Sequence, residues 1–491
     1  MMNALLILLI LILYIGVLLL ISSLTSRKSQ SNSTFFSANR RSPWYLVAFG
    51  MIGSSVSGIS LVSVPGMVAD SGFTYLQTAV GFFVGYVVVA MVLLPLYYKL
   101  NLTSIYEYLG QRFGKITHKT GSVFYIISRL ITSASKLYVT VLVLQIFVFD
   151  ALKIPFWMSV TICVLVIWLY TNRGGIGTIV FTDALQSFIL FLAIILMIFH
   201  VTRMLDFSFI ETIKAIKNSG LSRTFVFSDF VSSRNFFKQF FSGIFIVVVM
   251  TGLSQDMMQT TLSCKNLKEA RKNMLWYGTG FVPLNLLLLC LGVLLIIFAQ
   301  KHSIALPSEP DKIVPVFASS LLGKMVYVVF VLGIIAATFN SADSALTGIA
   351  TAIAIDLVKL KNRENKKAIT LRKITYFAVC VVFVLVILLF ENIENHSIID
   401  TIYMIVGYAY GPLLGLFAFG LFTKWQVMDR AVPFLALLSP VLTYVISSFC
   451  KIKFNYTFGY EILIINGLLM FLMMRLFKRN SKATQTFFEA Q

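Results

Sequence analysis

The chain has 491 residues, 58% of them hydrophobic and only 12% charged, with a mean hydropathy of +0.87. Soluble domains carry about 25% charged residues, so this composition excludes a soluble protein and names lipid as the solvent. A net charge of +20 then reflects basic loops at a membrane surface and does not call for a nucleic-acid partner.

Apolar runs of about 20 residues, enough to cross ~30 Å of hydrocarbon, recur along the whole chain. They predict thirteen spans: 3–22, 44–68, 74–98, 121–148, 156–172, 176–202, 237–262, 274–300, 323–357, 372–391, 398–422, 430–449 and 457–475. The first run has no basic residues before it and is followed by the basic "SRKSQ", not by a small-residue cleavage site. It reads as a retained helix. With the N-terminus outside, most of the 40 Lys and Arg fall in inside segments, among them Arg27, Lys28, Arg40 and Arg41, and Lys265 to Lys272. This predicts an outside N-terminus and a cytoplasmic C-terminus in a plasma membrane, the inner membrane of a bacterium.

In chain order, span 2 carries "IGSSVSGISLVS" (52–63), a run of Gly and Ser where lipid-facing helices exclude them. Span 7 has a parallel interruption around Gly243 and Gly252, in "FFSGIF" and "MTGLSQD". Irregular backbone at membrane depth is tolerated only where it lines a cavity, and broken helices build ion sites in transporters. Spans 2–6 and 7–11 form two sets of five, each opening on such a helix. Span 9 carries "AATFNSADSALTGIAT" (336–351). There Ala337, Asn340/Ser341 and Ser344 share a helix face beside Asp343, and hard oxygen donors suit a hard cation such as sodium. Charges within spans mark function by default. They are Arg129, Lys136, Asp183 and Asp343.

No enzyme emerges. The four histidines lack metal-ligand spacing, no phosphate-binding loop is present, and the five scattered cysteines read as small buried hydrophobes.

Four motifs in order carry a family resemblance: "SIYEYLGQRFG" (104–114), "GGIGTIVFTDALQ" (174–186), "FNSADSALTGIAT" (339–351) and "GYAYGPLLGLFAFGLFTK" (407–424). From about residue 5 to residue 440 the chain resembles the sodium:solute symporter family, which includes sodium/glucose, sodium/proline and sodium/sialic acid cotransporters. The resemblance implies an all-α integral membrane protein with a LeuT-like fold of two inverted five-helix repeats. One extra helix precedes the repeats and two follow. The implied organisation is an N-terminal helix and linker (1–43), a first repeat (44–202), an outside loop (203–236), a second repeat (237–424), two additional helices (425–476) and a cytoplasmic tail (477–491).

It also implies sodium-coupled import of a small solute by alternating access, with the oligomeric state open and a monomer the simplest reading. The main sodium site would use the carbonyls of Gly53, Val56 and Ala337 and the side chains of Asn340 and Ser341. Asn340 departs from the hydroxyl residue common at its position. A second sodium site would use Asp183 with Asn340, Asp343 and Ser344, and the competing reading pairs Asp343 with Lys136 or Asp183 with Arg129. Ser55, Ser57 and Ser60 match solute-lining positions. The arginine and glutamine of the sialic acid members align here with Thr132 and Ala79, so that grip is missing. Arg129 and Lys136 instead bracket Thr132 on one helix face. A cation in the pocket favours an organic anion such as a carboxylate or acidic sugar. Pairing of both cations with the aspartates would favour a neutral sugar or polyol. A membrane solute sensor without transport is the alternative from another class.

Overall fold

The computed structural model describes residues 2–26, 31–172, 174–228, 230, 232–360, 366–391 and 398–479. The last part of the expected cytoplasmic tail, 480–491, lies outside the described residues.

Helices run unbroken through the apolar stretches and break where small polar residues gather. After α1 (Met2–Ser26), α2 (Trp44–Ser55) meets α3 (Gly58–Ser71) at 58°. Gly and Ser weaken the helix here. Val56 (φ −89°, ψ 93°) and Ser57 (φ −74°, ψ 169°) leave it altogether. The helices α4 (Tyr75–Lys99), α5 (Lys115–Leu144), α6 (Phe156–Thr171) and α7 (Ile176–Met204) complete the first five spans. The second five open in the same way. α8 (Phe236–Gly252) ends in a π-helical turn, Val248–Gly252, and meets α9 (Gln255–Leu262) at 67°. Then follow α10 (Leu267–Lys301), α11 (Gly323–Ala352), α12 (Lys366–Phe390) and α13 (Ile398–Phe422). α14 (Val432–Phe454) and α15 (Ile462–Leu476) end the bundle. Each predicted span has a helix or a broken pair at its position.

The span of α11 is 78% buried, against 22% for α1 and 28% each for α12 and α14. The polar stretch of α11 therefore lies at the centre of the protein, packed on α7, α5 and both arms of the first broken pair. The peripheral helices present leucine, valine and phenylalanine to lipid.

Two buried polar networks tie the ends of the helices that carry the basic loops. Arg112, from the "SIYEYLGQRFG" segment, donates to the carbonyls of Gly420 (3.3 Å), Thr423 (2.8 Å) and Trp425 (2.8 Å). It thereby satisfies carbonyls that the end of α13 leaves open. Asp356, just past α11, meets His118 Nε2 at 2.9 Å and accepts from the hydroxyls of Ser104 (2.8 Å) and Ser122 (2.7 Å).

Candidate functional site

The break between α2 and α3 lies directly on the polar turns of α11. A Cβ at Gly53 would overlap Ser187 Oγ and come within 2.9 Å of Asn340 Nδ2. One at Gly58 would overlap Thr338 Oγ1 and lie 3.1 Å from the Ile334 carbonyl. Only glycine allows this approach. No described residue donates a hydrogen bond to the carbonyls of Gly53 or Val56, so both stay available. Ala337, Asn340, Ser341 and Ser344 are all buried on the helix they face.

Asn340 links three helices. Its Nδ2 donates to the Asp183 carbonyl (3.2 Å) and to Ser187 Oγ (3.3 Å), while its Oδ1 accepts from the Ser54 hydroxyl. Asp183 Oδ2 accepts from Ser54 (3.2 Å) and Ser344 (3.3 Å). Asp343 Oδ2 accepts from the Tyr170 hydroxyl at 2.7 Å. Three buried oxygens here have no hydrogen-bond partner: Asp183 Oδ1, Asp343 Oδ1 and Ser341 Oγ. Burying a carboxylate without a counter-ion is costly. Among the described residues, neither aspartate has a Lys or Arg within ion-pair distance. The donor set is all oxygen, partly unsatisfied and negative, and it fits a hard cation.

The alternative ion pairs, Asp343–Lys136 and Asp183–Arg129, do not form. Arg129 pairs instead with Asp256 at the start of α9, and both side chains are fully buried. Lys136 has no carboxylate within ion-pair distance among the described residues.

Both cations line a cavity of about 70 Å³ beside the ion cluster. Ser54, Ser55, Ser57 and Ser60 from the first break form one wall. Phe82, Tyr86, Tyr277 and Phe281 form an aromatic wall, and Ile246, Val247, Met250 and Met257 close the rest. Tyr86 and Tyr277 pack with ring centroids 4.3 Å apart, and the Tyr277 hydroxyl is hydrogen-bonded to Ser55. The three predicted serines thus lie where the resemblance places them. Thr132 does not line the cavity. Its hydroxyl turns back to the Ser128 carbonyl at 2.8 Å, as Thr side chains do inside helices. Ser54 touches both sites, bordering the cavity and donating to Asp183 and Asn340.

Sequence reasoning missed Ser54, Asp256 and the aromatic wall. Phe82/Tyr86 and Tyr277/Phe281 are i, i+4 pairs, a spacing that marks one face of each helix. Asp256 sits inside "LSQD", which registers as an interruption and not as a ligand.

Two broken helices crossing at buried oxygen donors, next to a cavity at mid-span, define an ion-coupled carrier fold. The sodium:solute symporter family model matches residues 35–432, and the chain belongs to this family. It is similar to the Homo sapiens sodium/iodide cotransporter, 23% identical over 404 residues, covering 80% of this chain and 61% of that protein. It is also similar to the sodium/sialic acid symporter NanT of Aliivibrio fischeri, 25% identical over 430 residues, covering 84% and 82%. The chain therefore spans about three fifths of the first relative's length and most of the second's. A solved Na+-coupled sialic acid symporter, in a substrate-bound outward-open state, shares its fold with a TM-score of 0.81. That match has 18% identity and covers 96% of this chain and 97% of that one. The fold is the LeuT-like pair of inverted five-helix repeats.

Proposed function

We propose that this protein is a sodium-coupled secondary symporter that carries a small organic anion across a plasma membrane by alternating access. The observation that carries this reading is the unwound turn 53–57, which borders both the oxygen cluster and the cavity, with Ser54 in contact with each. A cation held by Gly53, Val56, Ala337, Asn340 and Ser341 orders that turn. A second cation fits Asp183, Asp343 and Ser344. Ordering the turn sets Ser54 to Ser60 for the solute, and by linkage the solute tightens sodium binding equally.

Charge and lining support an anion. Asp256 neutralises Arg129, while Lys136 faces the cavity with no carboxylate of its own. A solute carboxylate completes it through a charge-assisted bond. The aromatic and aliphatic walls offer few partners to a polyol. They suit an acid with a short apolar body. At roughly 10–15 Å³ per water-sized sphere, the cavity accepts on the order of five such spheres, the scale of a monocarboxylate. Both relatives are named for anions, iodide and sialic acid. The basic loops place the N-terminus outside and the break-to-α9 side toward the cytoplasm.

The test is a thermal-shift screen of purified protein against carboxylates, sugars, polyols and amino acids, each in sodium and in potassium. Ligands of the folded state raise its melting temperature by mass action. Acids that stabilise only in sodium are expected. Stabilisation by a neutral sugar in place of acids would overturn the anion assignment, and stabilisation that ignores sodium would overturn the coupling.

A further inference from the structure

The Arg129–Asp256 pair does more than neutralise a charge. Arg129 lines the cavity with part of its guanidinium and touches Asp256 Oδ2 through Nη2, while its buried Nε has no hydrogen-bond partner. A guanidinium presents five N–H groups in a fork matched to a carboxylate, and Asp256 takes only one corner of it. Asp256 is differently placed. Its Oδ1 already accepts from the hydroxyls of Ser254 (2.5 Å) and Tyr125 (3.2 Å), so it keeps partners if Arg129 leaves.

The two residues also belong to different mechanical parts. Arg129 sits on the unbroken α5, Asp256 on the short inner arm α9. The junction above α9 is held by tyrosines: Tyr97 donates to the Gly252 carbonyl (2.9 Å) and Tyr106 to the Leu253 carbonyl (2.7 Å). Opening the cavity toward the cytoplasm requires α9 to part from α5, which separates the pair. A buried guanidinium left without a carboxylate is strongly unfavourable, so something must replace Asp256 when the arm moves.

We propose that Asp256 is a resident stand-in for the solute: it occupies Arg129 in the empty carrier, and the carboxylate of the transported acid displaces it in the loaded one. This rests on the reading of the solute as an organic anion. Lys136, seven residues or about 10 Å further out along α5, meets the acid first. Arg129 receives it next, and the loss of its hold on Asp256 frees α9. The empty carrier returns only with Asp256 back on Arg129.

Proteoliposomes and radiolabelled pyruvate test this step. In Asp256→Asn, sodium-driven net uptake is expected to fall at least about tenfold, because the empty carrier must return with Arg129 unpaired. Pyruvate/pyruvate exchange, in which the carrier crosses loaded both ways, is expected to stay within about threefold of the wild type. Equal loss of both, in protein that still shows a sodium-dependent thermal shift, overturns the proposal, as does retention of both. If Asp256→Asn does not fold, the double variant Arg129→Gln/Asp256→Asn leaves no charge alone and decides the matter. Loss of acid exchange in it is expected, and exchange at the wild-type rate removes Arg129 from the path. A wild type that accumulates no pyruvate in sodium fails earlier and differently: it overturns the anion reading, and this step with it.

Discussion

Asp183→Asn removes a charge and almost nothing else. The two side chains have the same shape, and Oδ2 of Asp183 accepts hydroxyl hydrogen bonds that an amide oxygen also accepts, from Ser54 and Ser344. What changes is Oδ1, buried and without a partner, in a site with no basic side chain within reach among the described residues. If a sodium ion completes that carboxylate, the charge-assisted contact is worth about 1.5–3 kcal/mol, and its loss raises the sodium dissociation constant roughly ten- to hundredfold. At sodium one hundred times the wild-type constant, binding stabilises the fold by about 2.7 kcal/mol, and a hundredfold weaker site leaves about 0.4 kcal/mol. In potassium the order reverses. There the wild type buries a carboxylate with no cation, and the neutral amide of the variant relieves about 1–3 kcal/mol of that penalty. Melting curves of both proteins in matched sodium and potassium chloride read both signs at once. A sodium-induced shift of undiminished size in the variant, or a variant less stable in potassium, would refute the assignment of Asp183 to a cation.

Four further outcomes are expected. Lys136→Gln lowers apparent affinity for acids by about ten- to a hundredfold with little effect on sodium-induced stabilisation, read by uptake competition and thermal shift. Gly53→Ala, whose new methyl meets Ser187 Oγ and Asn340 Nδ2, costs about 1–3 kcal/mol and weakens sodium activation, seen as lower melting and a raised sodium half-activation concentration. Arg112→Met strips three carbonyl acceptors of their donor and destabilises the fold by about 2–4 kcal/mol, measured by unfolding, with solute preference unchanged. In the outside loop, Glu211 is held below the usual carboxylate range by the N–H and then the hydroxyl of Ser208, in a capping box on the helix Phe209–Asn218. Because its folded value is depressed, the cap's contribution is present above the unfolded value of about 4.3 and fades as pH falls through the lower folded one. Amide exchange in that helix should accelerate only on acidification past that range, and Glu211→Gln should remove the pH dependence.

Much of this was legible in the chain. Span positions follow from the length of apolar runs, and the breaks from Gly and Ser placed where lipid-facing helices avoid them. Asn340, Ser344 and Asp183 could be brought together because helical periodicity decides which residues share a face. Partner choice across helices was not legible. Arg129 had two candidate aspartates within spans, and the one it takes, Asp256, lies nine residues before the basic run that starts at Lys265, close to a predicted span end. Nothing local marks it as fully buried. Thr132 shows a related limit. Its spacing puts it on the face between Arg129 and Lys136, but periodicity does not choose a rotamer, and the hydroxyl prefers the carbonyl one turn back. The aromatic wall was hidden for a third reason: aromatic residues are common throughout this chain, and only packing shows which four meet.

The π-helical turn Val248–Gly252 bears on how such sequences are compared. A π turn is a helix carrying one residue too many, absorbed locally, and such turns arise from single insertions. The surplus residue sits just ahead of the break and rotates everything after it by about 100° around the helix axis. The residue that α9 offers to Arg129 is thus a matter of phase as well as of composition. A homologue with the same acidic residue but one position fewer in this stretch would aim it at a different neighbour. In an alignment of this region, the placement of a single gap decides which side chains are treated as equivalent. A conserved aspartate in the column would not by itself mean a conserved ion pair.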